Sequence, residues 1–254
     1  MIQYFDTHAH YDSGKFNADR DEVLRAVHDS GVALVVDPGD SGVTSERAVA
    51  LAQAHDFVYA AVGWHPEEAD SWTDSSLAHI RALAAQPKVC AIGEIGLDYY
   101  WDASTKAKQE RMFRAQLELA LELDLPVIVH DREAHGDSLR IVCDYPQLRG
   151  VFHCYSGSVE MARELLRRGW YLGFDGPITY KNAAKAPEVI AACPAERILL
   201  ETDSPYLAPV PNRGERNDSR NLPFIAARVA QIKGMTTDQV AEVTLQNGKK
   251  LFDL

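Results

Sequence analysis

A TIM-type (β/α)8 barrel is the fold this sequence predicts, on three observations. Short apolar runs, eight in all, alternate with amphipathic stretches along the chain, a pattern that implies a parallel sheet with covering helices. The length of 254 residues is ordinary for one closed barrel. The residues best suited to chemistry follow the apolar runs, and in a barrel the C-terminal ends of the strands form the mouth where sites are built. A single domain spanning residues 1–254 is expected, since no repeat, low-complexity segment or interdomain linker interrupts the pattern.

The elements follow in order. Ile2–Phe5 is the first predicted strand and leads into Asp6-Thr7-His8-Ala9-His10. Residues two apart in extended chain face the same side, so both imidazoles can enter one cavity. Arg20–Ser30 has apolar residues at three- and four-residue spacing and is the first predicted helix, followed by strand Ala33–Val36 and helix Ser45–His55. Strand Val58–Val62 precedes Gly63-Trp64-His65-Pro66, and helix Ser76–Ala85 comes next. Strand Val89–Ile92 precedes Glu94, and helix Lys106–Leu123 returns the chain to strand Val127–Val129, which ends at His130. Helix Asp137–Tyr145 separates it from strand Gly150–Phe152, which ends at His153. Helix Val159–Arg168 and strands Tyr171–Phe174 and Ile198–Leu200 complete the eight, the last running into Glu201-Thr202-Asp203. The stretch from Pro205 to Asn221, with three prolines, is expected to be a loop on the substrate side.

Composition limits the functional class. With 46% hydrophobic and 25% charged residues, the chain is a globular protein and not a disordered or fibrous one. The opening residues carry no basic region followed by an apolar one, and no run approaches the roughly 20 apolar residues of a bilayer span, so a cytoplasmic location is expected. Cys90, Cys143, Cys154 and Cys193 are widely spaced in apolar surroundings and are expected to be buried thiols. The net charge of −11 is the wrong sign for gripping long nucleic acid through a basic face. A nucleic acid substrate would therefore be held locally, where bound cations reverse the sign.

His8, His10, Glu94, His130, His153 and Asp203 are donors of the types that divalent metals take. Shared between two ions, they leave each short of full coordination, so water and substrate can complete it. Asp203 is the candidate proton acceptor for the water, and the carboxylate of Glu94 can bridge. Such a centre suits hydrolysis, with phosphodiesters favoured because two cations match their charge. No phosphate loop of Walker type is present.

The motifs taken together resemble the TatD family of metal-dependent hydrolases. The resemblance runs from Phe5-Asp6-Thr7-His8-Ala9-His10 through Ile92-Gly93-Glu94-Ile95-Gly96-Leu97-Asp98, Leu125–Arg132, Phe152–Gly157 and Leu200–Leu207 to Asn247–Phe252. It implies a TIM barrel, two divalent ions (Mg2+, Mn2+ or Zn2+), and nuclease activity, often 3′-to-5′ exonuclease action on DNA, with RNA a further candidate. It places His8, His10 and Asp203 on one ion, His130 and His153 on the other, and Glu94 between them. It marks His65 as a histidine that touches the scissile phosphate without being a ligand; a capping or core role is the alternative. Two positions depart from the pattern: Glu67, where many relatives carry a second histidine, and Leu222, where relatives often carry Glu. Substrate preference could differ accordingly, and a monomer is expected.

Other residues carry two readings each. Glu201 is either a partner of a ligand or a carboxylate satisfied by a nearby Arg or Lys, and Arg132 either contacts phosphate or forms a surface ion pair. Tyr99, Tyr100 and Trp101 either stack on unpaired bases or pack the loop after the fourth strand. Gln109, Phe113 and Gln116 are read as helix packing, His28, His55, His79 and His135 as exposed helix histidines, and Tyr155-Ser156-Gly157 as pocket lining or turn. Two alternatives to a nuclease are hydrolysis of an ester or amide, as in a D-aminoacyl-tRNA deacylase, and a non-catalytic barrel that binds metal or a partner.

Overall fold

The computed structural model describes residues 2–101 and 103–254. Its eight strands are Tyr4–Asp6 (β1), Val32–Pro38 (β2), Val58–Val62 (β3), Val89–Asp98 (β4), Val127–Arg132 (β5), Gly150–Phe152 (β6), Tyr171–Phe174 (β7) and Ile198–Leu200 (β8). They form one parallel sheet in sequence order. The last strand meets the first where the Thr7 N–H donates to the Leu200 carbonyl at 3.1 Å and Ala9 bridges Ser204, which brings the sheet round into a TIM barrel. Nine α-helices follow among the described residues: Arg20–Asp29 (α1), Gly42–Ala54 (α2), Ser76–Ala84 (α3), Lys106–Leu123 (α4), His135–Cys143 (α5), Val159–Arg167 (α6), Ala186–Ala192 (α7), Leu222–Lys233 (α8) and Thr237–Phe252 (α9). None of them is long and apolar enough to cross a membrane.

The core divides in two. The larger cluster joins strand residues such as Val35, Ile92, Phe152 and Leu172 to the helices. The smaller takes a residue from every strand, from Phe5 of β1 to Leu199 of β8, with Leu245, Leu251 and Phe252 of α9. Successive strand residues face opposite sides, so counting in twos from this layer leads to the barrel mouth. From Ala61, Ile128, Val151 and Leu199 the count arrives at His65, His130, His153, Glu201 and Asp203.

One strand departs from its predicted extent. β4 runs on to Asp98 and places Glu94 inside the strand, not beyond its end. Ile95 and Leu97 are buried as deeply as Ile92, and pairing with β5 continues to Asp98 opposite Arg132 after a register shift between Ile92 and Ile95. That shift breaks the two-residue alternation and turns Glu94 toward the mouth. Gly96 adopts φ +146°, and a Cβ there would collide with the His130 carbonyl, so only glycine allows the two strands this approach. His130 likewise lies within its strand, because β5 extends to Arg132. At the other end of the chain, Asn247 of α9 donates from Nδ2 to the carbonyls of Ala195 and Ile198, each at 2.8 Å, and so fixes the start of β8.

Candidate metal centre

His8 and His10 leave the end of β1 and bring their Nε2 atoms within 3.1 Å of one another. His10 Nδ1 lies 3.1 Å from the Pro38 carbonyl, which can only accept, so Nδ1 carries a proton and Nε2 is the nitrogen that faces the cavity. Glu94 enters from β4 and divides its two oxygens. Oε2 lies 3.3 Å from His8 Nε2 and 3.6 Å from His10 Nε2. Oε1 lies 2.9 Å from His130 Nδ1, 3.2 Å from His153 Nε2 and 3.6 Å from His65 Nε2. Asp203, in the left-handed region at φ +53°, brings Oδ1 to 3.4 Å from His10 Nε2 and 3.8 Å from His8 Nε2. Two donor groups therefore share one carboxylate, and among the described residues no Arg or Lys lies within ion-pair distance of Glu94 or Asp203.

Charge is balanced inside this buried cluster by protons. Burial alone would raise the Glu94 carboxyl, but His153, His8 and His65, with the hydrogen bond to His130, hold it well below the usual carboxylate range. Asp203 is lowered in the same way, against its burial, by His10, His153 and His8. Burial works against protonated imidazoles, yet Asp40 and Asp203 raise His10, Glu94 and Glu201 raise His153, and Asp98 and Glu94 raise His130 to about 9. His8 goes the other way: burial and His153, stacked on it at 3.8 Å, lower it. Protonated imidazoles thus face ionised carboxylates in this cluster, and a cation bound among them would displace those protons.

The family model described as "TatD related DNase" matches residues 5–253. The chain belongs to the TatD family. It is similar to the metal-dependent hydrolase YabD of Bacillus subtilis, 42% identical with 98% of each chain covered. It is similar as well to the 3′-5′ ssDNA/RNA exonuclease TatD of Cronobacter sakazakii, 39% identical with 98% of this chain and 97% of that one covered. Among solved structures, the TatD homologue YJJV of Escherichia coli K12 superposes with a TM-score of 0.94 at 32% identity, covering 100% of this chain and 99% of that one. This TatD-family chain is a metal-dependent hydrolase.

The TatD-type site rests further on Asp98 and on two glutamines read above as helix packing. Asp98 places Oδ2 3.0 Å from His130 Nε2, so His130 has a carboxylate at each ring nitrogen. Gln109 of α4, expected to serve packing, accepts from the Asp98 N–H at 2.9 Å and donates to the Asp98 carbonyl at 2.8 Å. Gln116, two helical turns on, does the same for Trp64, accepting at 2.7 Å and donating at 3.1 Å, and thereby fixes the turn that carries His65. The available signal was two amides seven residues apart on the buried face of a helix, where apolar residues are the rule.

His65 has the capping role that was its alternative reading. Its Nδ1 accepts from the Glu67 N–H at 3.2 Å, capping a 3-10 turn over Pro66–Ser71, while Nε2 faces Glu94. Glu201 touches no Arg or Lys among the described residues; it accepts from the Cys154 N–H and lies 3.2 Å from His153 Nδ1. Arg132 forms no surface ion pair among the described residues and lies over Tyr100. Tyr99 packs, its hydroxyl on Asp137 at 3.0 Å, whereas Tyr100 and Trp101 stay exposed. His28 and His79 are exposed as expected, His28 stacking on Phe57 with centroids 4.6 Å apart, whereas His55 and His135 are half-buried, His135 Nδ1 lying 2.8 Å from Asp131. Tyr155 is turn chemistry, its hydroxyl donating to the Ser158 carbonyl. The four cysteines are free thiols, Cys90 and Cys193 buried and the other two partly so.

Proposed function

We propose that this chain is a phosphodiesterase that removes nucleotides from the 3′ end of DNA, with RNA as a further substrate, and that it works with two divalent cations. The observation that carries the reading is the division of Glu94, one oxygen toward His8 and His10 and the other toward His130 and His153. The donor chemistry fits such ions: the inward Nε2 of His10, further imidazole nitrogens and two carboxylates meet with no competing ammonium or guanidinium among the described residues. His8, His10 and Asp203 would hold one ion, His130 and His153 the other, and Glu94 would serve both. Bound there, Mg2+, Mn2+ or Zn2+ supplies activation of water and neutralisation of phosphodiester charge.

The chain's own residues do the rest. Asp203, held ionised beside His10, is the acceptor for the proton that the attacking water gives up. His65, whose Nδ1 is occupied as an acceptor, carries its proton on Nε2 and can donate it to a phosphate oxygen. A net charge of −11 suits a monomeric, cytoplasmic enzyme that holds only the strand end at its mouth. The exonuclease names of relatives near 39% identity support the same substrate.

The test is digestion of 5′-labelled single-stranded and duplex DNA by chelator-stripped protein, with each metal restored singly and Asp203→Asn run in parallel. A metal-dependent ladder shortening from the 3′ end, absent in the variant, is the expected result. Tight metal uptake with no cleavage would overturn the nuclease reading and move the substrate to an ester or amide.

A further inference from the structure

The loop after β4 presents two large aromatic rings to solvent next to the centre. Tyr100 is 54% and Trp101 64% exposed, and their rings meet edge to face with centroids 4.8 Å apart. The Arg132 guanidinium lies 3.9 Å from the Tyr100 centroid and 5.3 Å from that of Trp101, with no carboxylate within 4 Å of it among the described residues. Burial does not account for rings this exposed, and in a chain of net charge −11 a guanidinium with no ion pair among the described residues stands out.

Three contacts tie these rings to the site. Asp98 Oδ1 accepts from the N–H groups of Tyr100 at 2.8 Å and Trp101 at 3.3 Å, while Oδ2 of the same carboxylate faces His130. The Tyr99 N–H donates to the Arg132 carbonyl at 2.9 Å, so the loop and β5 hold together. A cavity of about 150 Å³ opens beside Trp101, walled by Pro66, Glu67, Asp70, Asp98 and Gln109. Glu67 is one residue beyond Pro66, on the turn that carries His65.

We infer that Tyr100, Trp101 and Arg132, with this cavity, form a subsite for one unpaired nucleobase of a polynucleotide lying across the metal centre. The inference rests on the polynucleotide reading above and adds where the strand is held. An aromatic face and an aligned guanidinium take the π-face of any base, and the guanidinium charge also meets the backbone phosphate. A base still paired in a duplex presents no face to stack on, so the subsite selects single strands. Glu67, a carboxylate on the cavity wall, offers only acceptors, which favours the exocyclic amino groups of cytosine and adenine over thymine.

Fluorescence anisotropy on the metal-loaded protein, with single-stranded phosphorothioate oligonucleotides that bind while resisting hydrolysis, tests it. Trp101→Ala should weaken binding about ten-fold, the scale of one stacked base. An oligonucleotide with one abasic position, walked along the strand, should lose a similar factor with wild-type protein at one position only. The variant should lose nothing further at that position. Equal affinity of wild type, Trp101→Ala and Tyr100→Ala for the intact strand would overturn the subsite, as would variant and abasic losses that multiply fully. Cleavage of the unmodified strand by wild type, scored separately, tells whether the nuclease reading survives that result. A wild type that neither binds nor cleaves overturns both.

Discussion

Replacing Gln109 by Leu is a sharp test of how the centre is held together. The side chain is 2% exposed and its amide serves both backbone groups of Asp98, with a further bond from Nε2 to Thr105 Oγ1 at 3.0 Å. Leu fills a similar volume and removes every one of those bonds. The buried Asp98 N–H and carbonyl then lose their partner, at about 1–3 kcal/mol each, so the substitution costs up to about 6 kcal/mol, less where water from the adjoining cavity reaches them. At about 2–4 °C per kcal/mol for a protein of this size, the melting temperature should fall by up to roughly 20 °C. A second effect follows from geometry: Asp98 no longer holds its carboxylate against His130, and loss of such a partner lowers metal affinity roughly 10–100-fold. Differential scanning calorimetry with chelator and calorimetric titration with Mn2+ read the two effects independently. Gln109→Glu, which keeps the acceptor for the Asp98 N–H and loses the donor, should fall between Leu and wild type. A Leu variant that melts within 2 °C of wild type, by roughly the precision that matters here, and binds Mn2+ equally well would refute the argument.

Further outcomes are expected. In metal-free protein His130 is raised from 6.5 to about 9 by Asp98 and Glu94 against its burial, so its stabilisation is complete below pH 6.5 and lost as pH rises through about 9. Urea unfolding with chelator should show a loss of about 3 kcal/mol over that window, and saturating metal should flatten it, because the cation replaces the proton. Glu94→Ala should reduce turnover by more than the roughly 100-fold that an outer partner costs, and isothermal titration should show weaker metal binding overall, since both donor groups lose an oxygen. Burial pushes the thiols of Cys90 and Cys193 up, the latter to about 12, so iodoacetamide should modify them slowly in native protein and rapidly in urea. Rapid native labelling at Cys90 would contradict the packing of β4.

The barrel was legible because its periodicity is strong: eight apolar runs, each answered by an amphipathic stretch, leave little choice of topology. His130, His153 and Asp203 were legible for the same reason, as polar residues in phase with an inward-facing layer. Glu94 was legible as a candidate donor but lies within its strand and not beyond it, because a register shift is a property of two paired strands and one strand's sequence does not record it. Asp98, Gln109 and Gln116 escaped for a different reason. Their work is done on backbone groups of segments far away in sequence, such as Trp64, 52 residues before Gln116. An amide on a buried helix face looks the same whether it packs or clamps.

Ring closure has a consequence for how the molecule is made. β1 and β8 meet through Thr7 and Leu200, 193 residues apart, and the histidines that leave β1 meet Asp203 only there. During synthesis the first histidine pair therefore emerges long before its carboxylate partner, and β8 gains its anchor only once Asn247 has been added. A growing chain thus brings the candidate donors of β1 and β8 together only late in its synthesis. Chains cut short before Asn247 keep all six candidate donors and lose the two side-chain bonds that fix the start of β8.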